Sequence, residues 1–357
     1  MRSRLVPVLI FFLLFGVMLA ACGGADDTAA PAEAPAPAEA PAEAPAEAPD
    51  EGPIKIAFFS VVGNTYAEAM WEGAQEAAAA NGAEVVFFDA PGFDAAAQFA
   101  AIQDAITSGN FDALIINPMD SVGVQPAIQD AAAAGLPVVA VNTNIGPDFY
   151  TTEPQIPEVS AAVLTPAGTA ATALAAAMVK ACEGIDPCEV IYLLGISGYA
   201  FDEINREELI AAADANDHID LVGTPEVGYL AEPAIGAMAD VLLANPNISV
   251  MLAAGDQSAA GGEQAIEDAG LEGQIAIIAS GASEPGVEAV RDGRWFGVAT
   301  FAPFLMGVIS VEQAVKLVRG EPLDQTGTDP VEALGLPPLL DQDNKDEWAD
   351  FVGQWSG

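Results

Sequence analysis

The chain has very few basic residues, because its 357 residues include 10 Lys and Arg against 52 Asp and Glu, with a formal net charge of -42. Nucleic-acid phosphates are bound chiefly by Lys and Arg, so this composition excludes a nucleic-acid-binding protein. It also disfavours binding to anionic lipid surfaces and to polyanionic substrates. Histidine is equally scarce, since His218 is the only one, which excludes a metal site built from several histidines.

Enzyme motifs are lacking as well. The segment Gly195–Tyr199 lacks the final glycine of a nucleophile elbow, and His218 lies in a polar turn where it is poorly placed as a catalytic partner. The sequence contains no glycine-rich phosphate loop, and with so many acidic residues, neighbouring carboxylates arise by chance. We therefore expect a protein that is not an enzyme and uses no cofactor and no metal, with an exported hydrolase as the weaker alternative.

The first residues are typical of an export signal. Two arginines precede the uncharged, apolar run Leu5–Ala21, as in the basic and apolar regions of a signal peptide. A transmembrane helix is the alternative, but Pro7 and the short run argue against it. The segment Leu19–Gly23 resembles the bacterial lipobox, in which small residues precede a cysteine that is acylated. We therefore predict a signal peptide over residues 1–21 and a lipid anchor on Cys22.

Residues 22–53 form a low-complexity segment of Ala, Pro and Glu. Frequent proline prevents a helix and favours an extended chain, so this segment is predicted to be a tether. It contains only a small part of the acidic residues, and the negative charge therefore belongs mainly to the globular region. A body so acidic favours neutral or cationic ligands. Adaptation to salty surroundings is a second explanation of the same excess.

The remaining cysteines, Cys182 and Cys188, flank the short segment Glu183–Pro187. This segment is typical of a turn between an alanine-rich helix and a strand, so the two ends could approach each other. Because export permits disulfide formation, a local disulfide is favoured over two buried thiols.

From Ile54 onward, short apolar runs alternate with helical patterns. This alternation is typical of parallel sheets covered by helices on both faces. The proline-containing stretch 150–164 interrupts it and predicts an irregular crossing, after which the alternation restarts. We therefore predict an α/β protein of two lobes. The predicted strands are 54–60, 84–89, 113–117, 137–142, 189–194, 221–227, 250–253 and 275–279, and the predicted helices are 66–81, 94–108, 123–134, 165–181, 202–215, 234–244 and 258–269.

Candidate site residues follow the predicted strands, because ligands of open parallel sheets bind beyond the carboxyl ends of the strands. These segments are 60–66, 117–121, 142–144, 195–202, 228–229, 255–257 and 280–284. Some polar residues in them could serve the fold alone. Asn64 and Asn142 could cap a helix or adopt a left-handed backbone, and Asp256 could cap the helix that it opens. Asp202 and Glu203 suit the dipole of a helix start without any ligand.

Several segments, taken in order, resemble one protein family. The segment 111–121 is similar to the end of the third strand in the type I periplasmic sugar-binding proteins of ABC importers. Similar segments follow at 134–139, 243–248, 253–257 and 289–293. The resemblance covers roughly Ile54–Gly320, and the ordered set is specific although no single segment is diagnostic. Repressors of the same fold carry an N-terminal helix-turn-helix; the lipoprotein signal in its place favours transport.

The resemblance implies a fold and a function. It implies two Rossmann-like lobes with parallel sheets, joined by three crossings near Thr165, Phe301 and Glu321, that close on a sugar by a hinge. Residues 54–164 and 302–321 would form the N-terminal lobe, and residues 165–301 and 322–357 the C-terminal lobe. The protein would be an extracytoplasmic lipoprotein on the cell membrane, a monomer that passes a neutral sugar or sugar-like molecule to an ABC permease. A nucleoside or signalling-molecule receptor feeding a sensor protein is the alternative.

The resemblance also implies ligand contacts. Asn64 and Tyr66 match the polar and aromatic positions after the first strand, and Tyr229 matches an aromatic position of the second lobe. Asn142 and Thr143 stand where ribose binders have aspartate and arginine. Aromatic faces and a few polar groups are the usual means of holding a sugar ring.

The chain departs from ribose binders at three polar positions, where Gly255, Gly281 and Phe301 replace Asn, Asp and Gln. Such a pocket should not hold ribose in the usual way. Either the ligand is larger or less polar, or the nearby carboxylates of Asp202, Asp256 and Glu284 supply contacts. Asn205 falls near the position of a ligand arginine, with Arg206 as the alternative. The predicted ligand-binding residues are thus Asn64, Tyr66, Asn142, Thr143, Asp202, Asn205, Tyr229, Asp256 and Phe301.

Overall fold

The computed structural model of the chain describes residues 52–61 and 64–357. The predicted signal peptide, the predicted anchor at Cys22 and nearly all of the predicted tether lie outside these residues. In chain order, the strands are β1 (Ile54–Ser60), β2 (Ala83–Asp89), β3 (Ala113–Ile116), β4 (Val138–Val141), β5 (Ala161–Val163), β6 (Cys188–Leu193), β7 (Ile219–Gly223), β8 (Ile248–Ala253), β9 (Ala276–Gly281), β10 (Gly297–Thr300), β11 (Gly327–Thr328) and β12 (Leu339–Asp341). The helices are α1 (Thr65–Asn81), α2 (Ala95–Ser108), α3 (Gln125–Ala133), α4 (Ala167–Ala181), α5 (Ala200–Asp214), α6 (Ala231–Ala244), α7 (Asp256–Asp268), α8 (Glu284–Arg291), α9 (Pro303–Val318) and α10 (Pro330–Ala333).

The described strands form two sheets of six, one in each lobe. The first has the order β11-β5-β4-β3-β1-β2, and the second has the order β12-β10-β9-β8-β6-β7. Nearly all pairings are parallel, with an antiparallel pairing only between β10 and β12 among the described strands. The two lobes thus repeat one arrangement, and the predicted two-lobed α/β fold is confirmed.

Both faces of the first sheet are buried, as the continuous apolar strands predict. Alternate side chains of a strand point to opposite faces, so Ile56 and Phe58 join one hydrophobic core while Ala57 and Phe59 join another. Helices α1 and α9 cover the first of these faces, whereas α2 and α3 cover the second. A fully covered parallel sheet leaves its strand ends as the natural place for a site.

Three crossings join the lobes. The chain leaves the first lobe between β5 and α4, returns between β10 and α9, and leaves again after β11. Thr165 and Phe301, near which two crossings were predicted, fall within the first two of these connections. The third differs, because β11 (Gly327–Thr328) pairs with β5 of the first sheet, beyond the predicted crossing near Glu321. Residues up to Thr328 therefore belong with the first lobe.

Two local predictions have different outcomes. The stretch 150–164 is not wholly irregular, because it ends in β5, whose three residues pair with β4 and β11. A strand so short carries too few residues to show a period in the sequence. In contrast, the Cys182–Cys188 disulfide is confirmed, and it links the end of α4 to the start of β6.

The described part of the chain has no helix that is long and apolar enough to cross a membrane. Across the same residues there is also no group of His, Cys, Asp and Glu that could hold a metal ion.

Candidate functional site

The carboxyl ends of the strands meet at a cavity between the two lobes. Ser60, Asn117 and Asn142 reach it from β1, β3 and β4, and Ala254 and Ser280 reach it from β8 and β9. The full lining is Ser60, Val61, Asn64, Tyr66, Ala67, Met70, Phe93, Asn117, Asn142, Tyr199, Phe201, Tyr229, Ala254, Gly255, Gln257, Ser280, Gly281, Phe301 and Trp355. None of these described lining residues is charged, so the cavity suits a neutral ligand.

Aromatic rings form much of the cavity wall, and several of them meet across the cleft. Phe93 of the first lobe lies against Tyr199, with ring centroids 5.4 Å apart, and is stacked on Tyr229 at 6.4 Å. Tyr66 of the first lobe meets Phe301 at 6.3 Å and Trp355 at 5.5 Å, both edge to face. Rings in these positions can cover the apolar face of a sugar ring on two sides.

Neutral polar groups line the first-lobe side. The Tyr66 hydroxyl donates to Oδ1 of Asn142 at 2.8 Å. Nδ2 of Asn142 lies 3.5 Å from Oδ1 of Asn117, whose own Nδ2 donates to Oγ of Ser60 at 3.3 Å. Burial raises the pKa of the Tyr66 hydroxyl well above its usual range, so the hydroxyl keeps its proton. This row of amides and hydroxyls can both donate and accept hydrogen bonds, as sugar hydroxyls require.

Asn64 serves the fold as well as the cavity. It precedes α1, and its Oδ1 accepts a hydrogen bond from the backbone N–H of Ala67 at 2.7 Å. Asn142 has a left-handed backbone with φ of 63°. The structural alternatives considered for both residues therefore hold, and both side chains nevertheless line the cavity.

Side-chain hydrogen bonds join the two lobes around the cavity. Oγ1 of Thr143 and the hydroxyl of Tyr199 are 2.8 Å apart, and Nε2 of Gln257 donates to Oγ1 of Thr65 at 3.0 Å. Tyr150 also donates to Glu208 across the cleft. The lobes are therefore in contact, as in the closed state of a hinged clamp. Thr143, whose contact with the ligand stays a prediction, is buried outside the described cavity lining and bonds Tyr199.

Asp202 lies beneath the second-lobe wall rather than on it. It is fully buried, and its Oδ2 accepts hydrogen bonds from the backbone N–H of Ile196 and from the Tyr229 hydroxyl, both at 2.8 Å. Its Oδ1 has no hydrogen-bond partner among the described residues. Burial raises the pKa of Asp202 to about 7, since the charged form is poorly solvated there. The side chain thus positions Tyr229 and does not line the cavity.

Asp256 and Asn205 are also buried outside the lining. Oδ2 of Asp256 accepts from the backbone N–H of Ser283 at 2.6 Å, so it fastens the start of α8. Burial raises the pKa of Asp256 to about 6. Asn205 lies beside the Tyr192 hydroxyl, and its alternative, Arg206, is paired with Glu203. The predicted residues that the structure brings together in the lining are Asn64, Tyr66, Asn142, Tyr229 and Phe301.

Comparison with known proteins identifies the fold family. Residues 57–322 match the family model of the periplasmic binding protein domain. The chain belongs to this family. It is 27% identical over 262 residues to the ribose import binding protein of Escherichia coli (strain K12), a match that covers 73% of this chain and 83% of that protein. The xylitol-binding protein of Mycolicibacterium smegmatis is 26% identical over 277 residues, which cover 77% of this chain and 73% of that protein.

Solved structures agree with the family assignment. The structure of an ABC transporter solute binding protein from Mycobacterium smegmatis with bound glycerol has a TM-score of 0.70 and 26% identity, and the match covers 86% of this chain and 100% of that chain. The resemblance to type I periplasmic binding proteins is therefore confirmed. The names of these relatives are those of binding proteins, which at the level of the periplasmic binding protein family fits the expectation of a protein that is not an enzyme.

Two aromatic residues that line the cavity, Phe93 and Trp355, lie outside every segment predicted to contribute to the site. Phe93 ends a short turn after β2. Because ligands of parallel sheets bind beyond the carboxyl ends of the strands, the residues after β2 were also candidates for the site. Trp355 lies in the segment after β12, near the end of the described chain, and no sequence pattern linked it to the cleft.

The buried carboxyls predict an unusual dependence of stability on pH. The pKa values of Asp202 and Asp256 are raised to about 7 and about 6, whereas unfolded Asp titrates near about 4. Between pH of about 4 and about 7 the folded state therefore holds protons that the unfolded state has released. The contribution of these two carboxyls to the free energy of unfolding is complete at low pH and is lost as pH rises through about 7. From pH 8 to pH 5, Asp202 alone should raise the free energy of unfolding by about 2–3 kcal/mol.

Urea unfolding curves of wild type and Asp202→Asn between pH 5 and 8 measure this contribution. The amide still accepts from Ile196 and Tyr229 but cannot ionise, so the variant should lose that part of the pH dependence. Asp104→Asn, which changes an exposed carboxylate, corrects for the general effect of removing one negative charge. Equal slopes for Asp202→Asn and Asp104→Asn would contradict the prediction.

Proposed function

We propose that this protein is the extracytoplasmic substrate-binding component of an ABC importer for a neutral sugar or sugar-like molecule. The observation that carries the proposal is the uncharged, aromatic cavity at the strand ends of two lobes. Its relatives support the same assignment, since they include a ribose import binding protein and a xylitol-binding protein. Carbohydrate binding needs aromatic faces together with neutral hydrogen-bonding groups, and this cavity offers both.

The charge distribution supports a neutral ligand. The described lining residues include no cation that could pair with a carboxylate or a phosphate, and buried Asp202 and Asp256 lie close behind the second-lobe wall. A phosphorylated sugar would therefore lose hydration without gaining an ion pair. The three positions at which ribose binders have polar residues are Gly255, Gly281 and Phe301, and all three line the cavity. This apolar replacement favours a ligand that is less polar than ribose.

Ligand capture would proceed by closure of the two lobes. The contacts of Thr143 with Tyr199 and of Phe93 with Tyr229 join opposite lobes, so they would form only as the cleft closes. A ligand that touches both walls stabilises the closed state through its additional contacts there. The closed form would then deliver the ligand to a membrane permease.

The same proposal places the protein on the outer face of the cell membrane as a monomer held by a lipid on Cys22. The signal and lipobox pattern of the sequence support it, and the tether would let the lobes reach the permease. Metabolic labelling with a fatty-acid analogue tests this anchor, because Cys22→Ala should abolish the label if Cys22 carries the lipid.

A thermal-shift panel tests the proposed function. D-ribose, D-allose, xylitol, myo-inositol and D-galactose are tested at about 1 mM, with adenosine to examine the nucleoside alternative and ribose 5-phosphate as the charged control. A binder present at about 100 times its Kd adds about 2.7 kcal/mol to stability, which should raise Tm by about 5 °C.

The expected result is a shift with at least one neutral carbohydrate and none with ribose 5-phosphate, without any product in the incubated mixture. Product formation would support the exported-hydrolase alternative and contradict transport. A shift with adenosine alone would replace the sugar assignment with a nucleoside one.

A further inference from the structure

The segment that follows β12 brings a tryptophan into the cleft. Trp355 is 7% exposed and lines the cavity, although residues 342–357 lie beyond the last strand of either sheet. Its indole Nε1–H donates to the carbonyl oxygen of Gly281 at 3.2 Å, and its own carbonyl accepts from the backbone N–H of Glu284 at 2.8 Å. These two bonds fix the ring against the end of β9 and the start of α8.

Gly281 provides the space for this ring. A Cβ at position 281 would lie 2.6 Å from Cζ2 of Trp355, which is closer than atoms approach without displacement. The absence of a side chain at Gly281, which replaces the polar residue of ribose binders, therefore lets the indole occupy the wall. The position of the Trp355 ring therefore depends on glycine at position 281.

The same segment also touches the first lobe. The Trp355 ring meets Tyr66 edge to face, with centroids 5.5 Å apart. Oε1 of Gln354 accepts from the backbone N–H of Leu305 at 3.2 Å, and the carbonyl of Gly357 accepts from Oγ1 of Thr65 at 2.8 Å. Trp355 is thus fastened to the second lobe and meets the first lobe at the cavity itself.

We infer that Trp355 is a ligand-contacting residue, which packs its indole against the carbohydrate and limits the size and polarity of what the cleft accepts. This inference rests on the proposed carbohydrate-binding function. The cavity-facing part of the indole offers the ligand an aromatic contact, and its loss would remove that contact. Held by Gly281 and Glu284, the indole is positioned before the ligand arrives, which lowers the entropic cost of binding.

Intrinsic fluorescence and binding titrations test the inference, since the chain has 4 tryptophans. Wild type, Trp355→Phe, Trp355→Ala and Trp348→Phe are titrated with D-ribose, D-allose, xylitol and myo-inositol in turn. Trp348 is the matched control, because it is buried away from the cavity, where it donates to Asn344 and packs against Arg291.

The expected result is a fluorescence change in wild type and Trp348→Phe that is lost in Trp355→Phe, whose smaller ring keeps the fold. Isothermal calorimetry should show at least 10-fold weaker binding for Trp355→Ala and a Kd within 2-fold of wild type for Trp348→Phe. A full fluorescence change in Trp355→Phe, or wild-type affinity in Trp355→Ala, would overturn the role of Trp355. The proposed function is tested separately by the wild-type protein, which should be saturated by at least one of the four carbohydrates in the same titrations.

Discussion

Replacing Gly307 by alanine is expected to lower the free energy of unfolding by about 2–4 kcal/mol, because α9 crosses α1 too closely to admit a side chain. A Cβ at position 307 would lie 1.9 Å from the carbonyl oxygen of Met70 and 2.7 Å from the backbone nitrogen of Ala74. Both are backbone atoms of α1, so relief of the clash requires the helices to separate. Gly73 makes the reciprocal approach, with a built Cβ only 2.0 Å from the carbonyl oxygen of Phe304.

Urea unfolding followed by far-UV circular dichroism measures this loss. Gly236→Ala is the matched control, because Gly236 lies on the exposed face of α6, where a built Cβ meets no described atom within 4 Å beyond its chain neighbours and its own helix backbone. Alanine is a better helix former than glycine, so this control should gain up to about 1 kcal/mol. If Gly307→Ala were as stable as Gly236→Ala, the close crossing of α1 and α9 would be wrong.

The packing of these helices matters for the cavity, because each presents residues to it from its first turn or the loop before it. Asn64 and Tyr66 lie at the start of α1, and Phe301 precedes α9. Gly307→Ala should therefore perturb the ligand site as well as stability, although residue 307 does not line it. For this reason, stability variants and binding variants are best chosen at different positions.

The fold was predictable from the sequence because each element repeats a pattern that burial imposes. Continuous apolar runs such as β3 and β4 are buried throughout, and they alternate with helices long enough to show a period. The predicted elements omit β5 and β11, which have three and two residues, and they also stop at β9, so that α8, β10, α9, α10 and β12 were not assigned. The pairing of β5 and β11 depends on neighbouring strands rather than on their own sequence, so no local pattern marked them or the true third crossing.

The cavity was predictable only in part, for a different reason. Strand ends and family resemblance locate a residue along the chain, but they do not give its depth beneath the surface. Tyr229 and Asp202 illustrate this, because both follow strands of the second lobe. The Tyr229 ring lines the cavity, whereas the Asp202 carboxylate lies behind that ring and accepts a hydrogen bond from the Tyr229 hydroxyl. Trp355 shows the opposite failure, since only the folded chain brings the residues after β12 to the cleft.

Replacing Tyr229 by alanine is expected to weaken binding of the best carbohydrate in the panel by about 10- to 100-fold. Its ring lines the cavity and stacks on Phe93 of the opposite lobe, so alanine removes both a contact with the ligand and a contact that stabilises the closed cleft. Losses of this size are typical of a central aromatic residue in a binding site. Isothermal calorimetry measures the Kd, and Tyr229→Phe separates the ring from the hydroxyl that donates to Asp202.

A double-mutant cycle with Phe93→Ala decides how Tyr229 acts. If the two rings act by closing the cleft together, the second substitution should cost little once the first is made, because the stacked pair is already lost. If each ring contacts the ligand independently, the two losses in binding free energy should add. Tyr229→Phe should bind within a few-fold of wild type in either case, since the ring remains. Wild-type affinity in Tyr229→Ala would show that the ligand binds elsewhere, because no ligand held between these walls could avoid that ring.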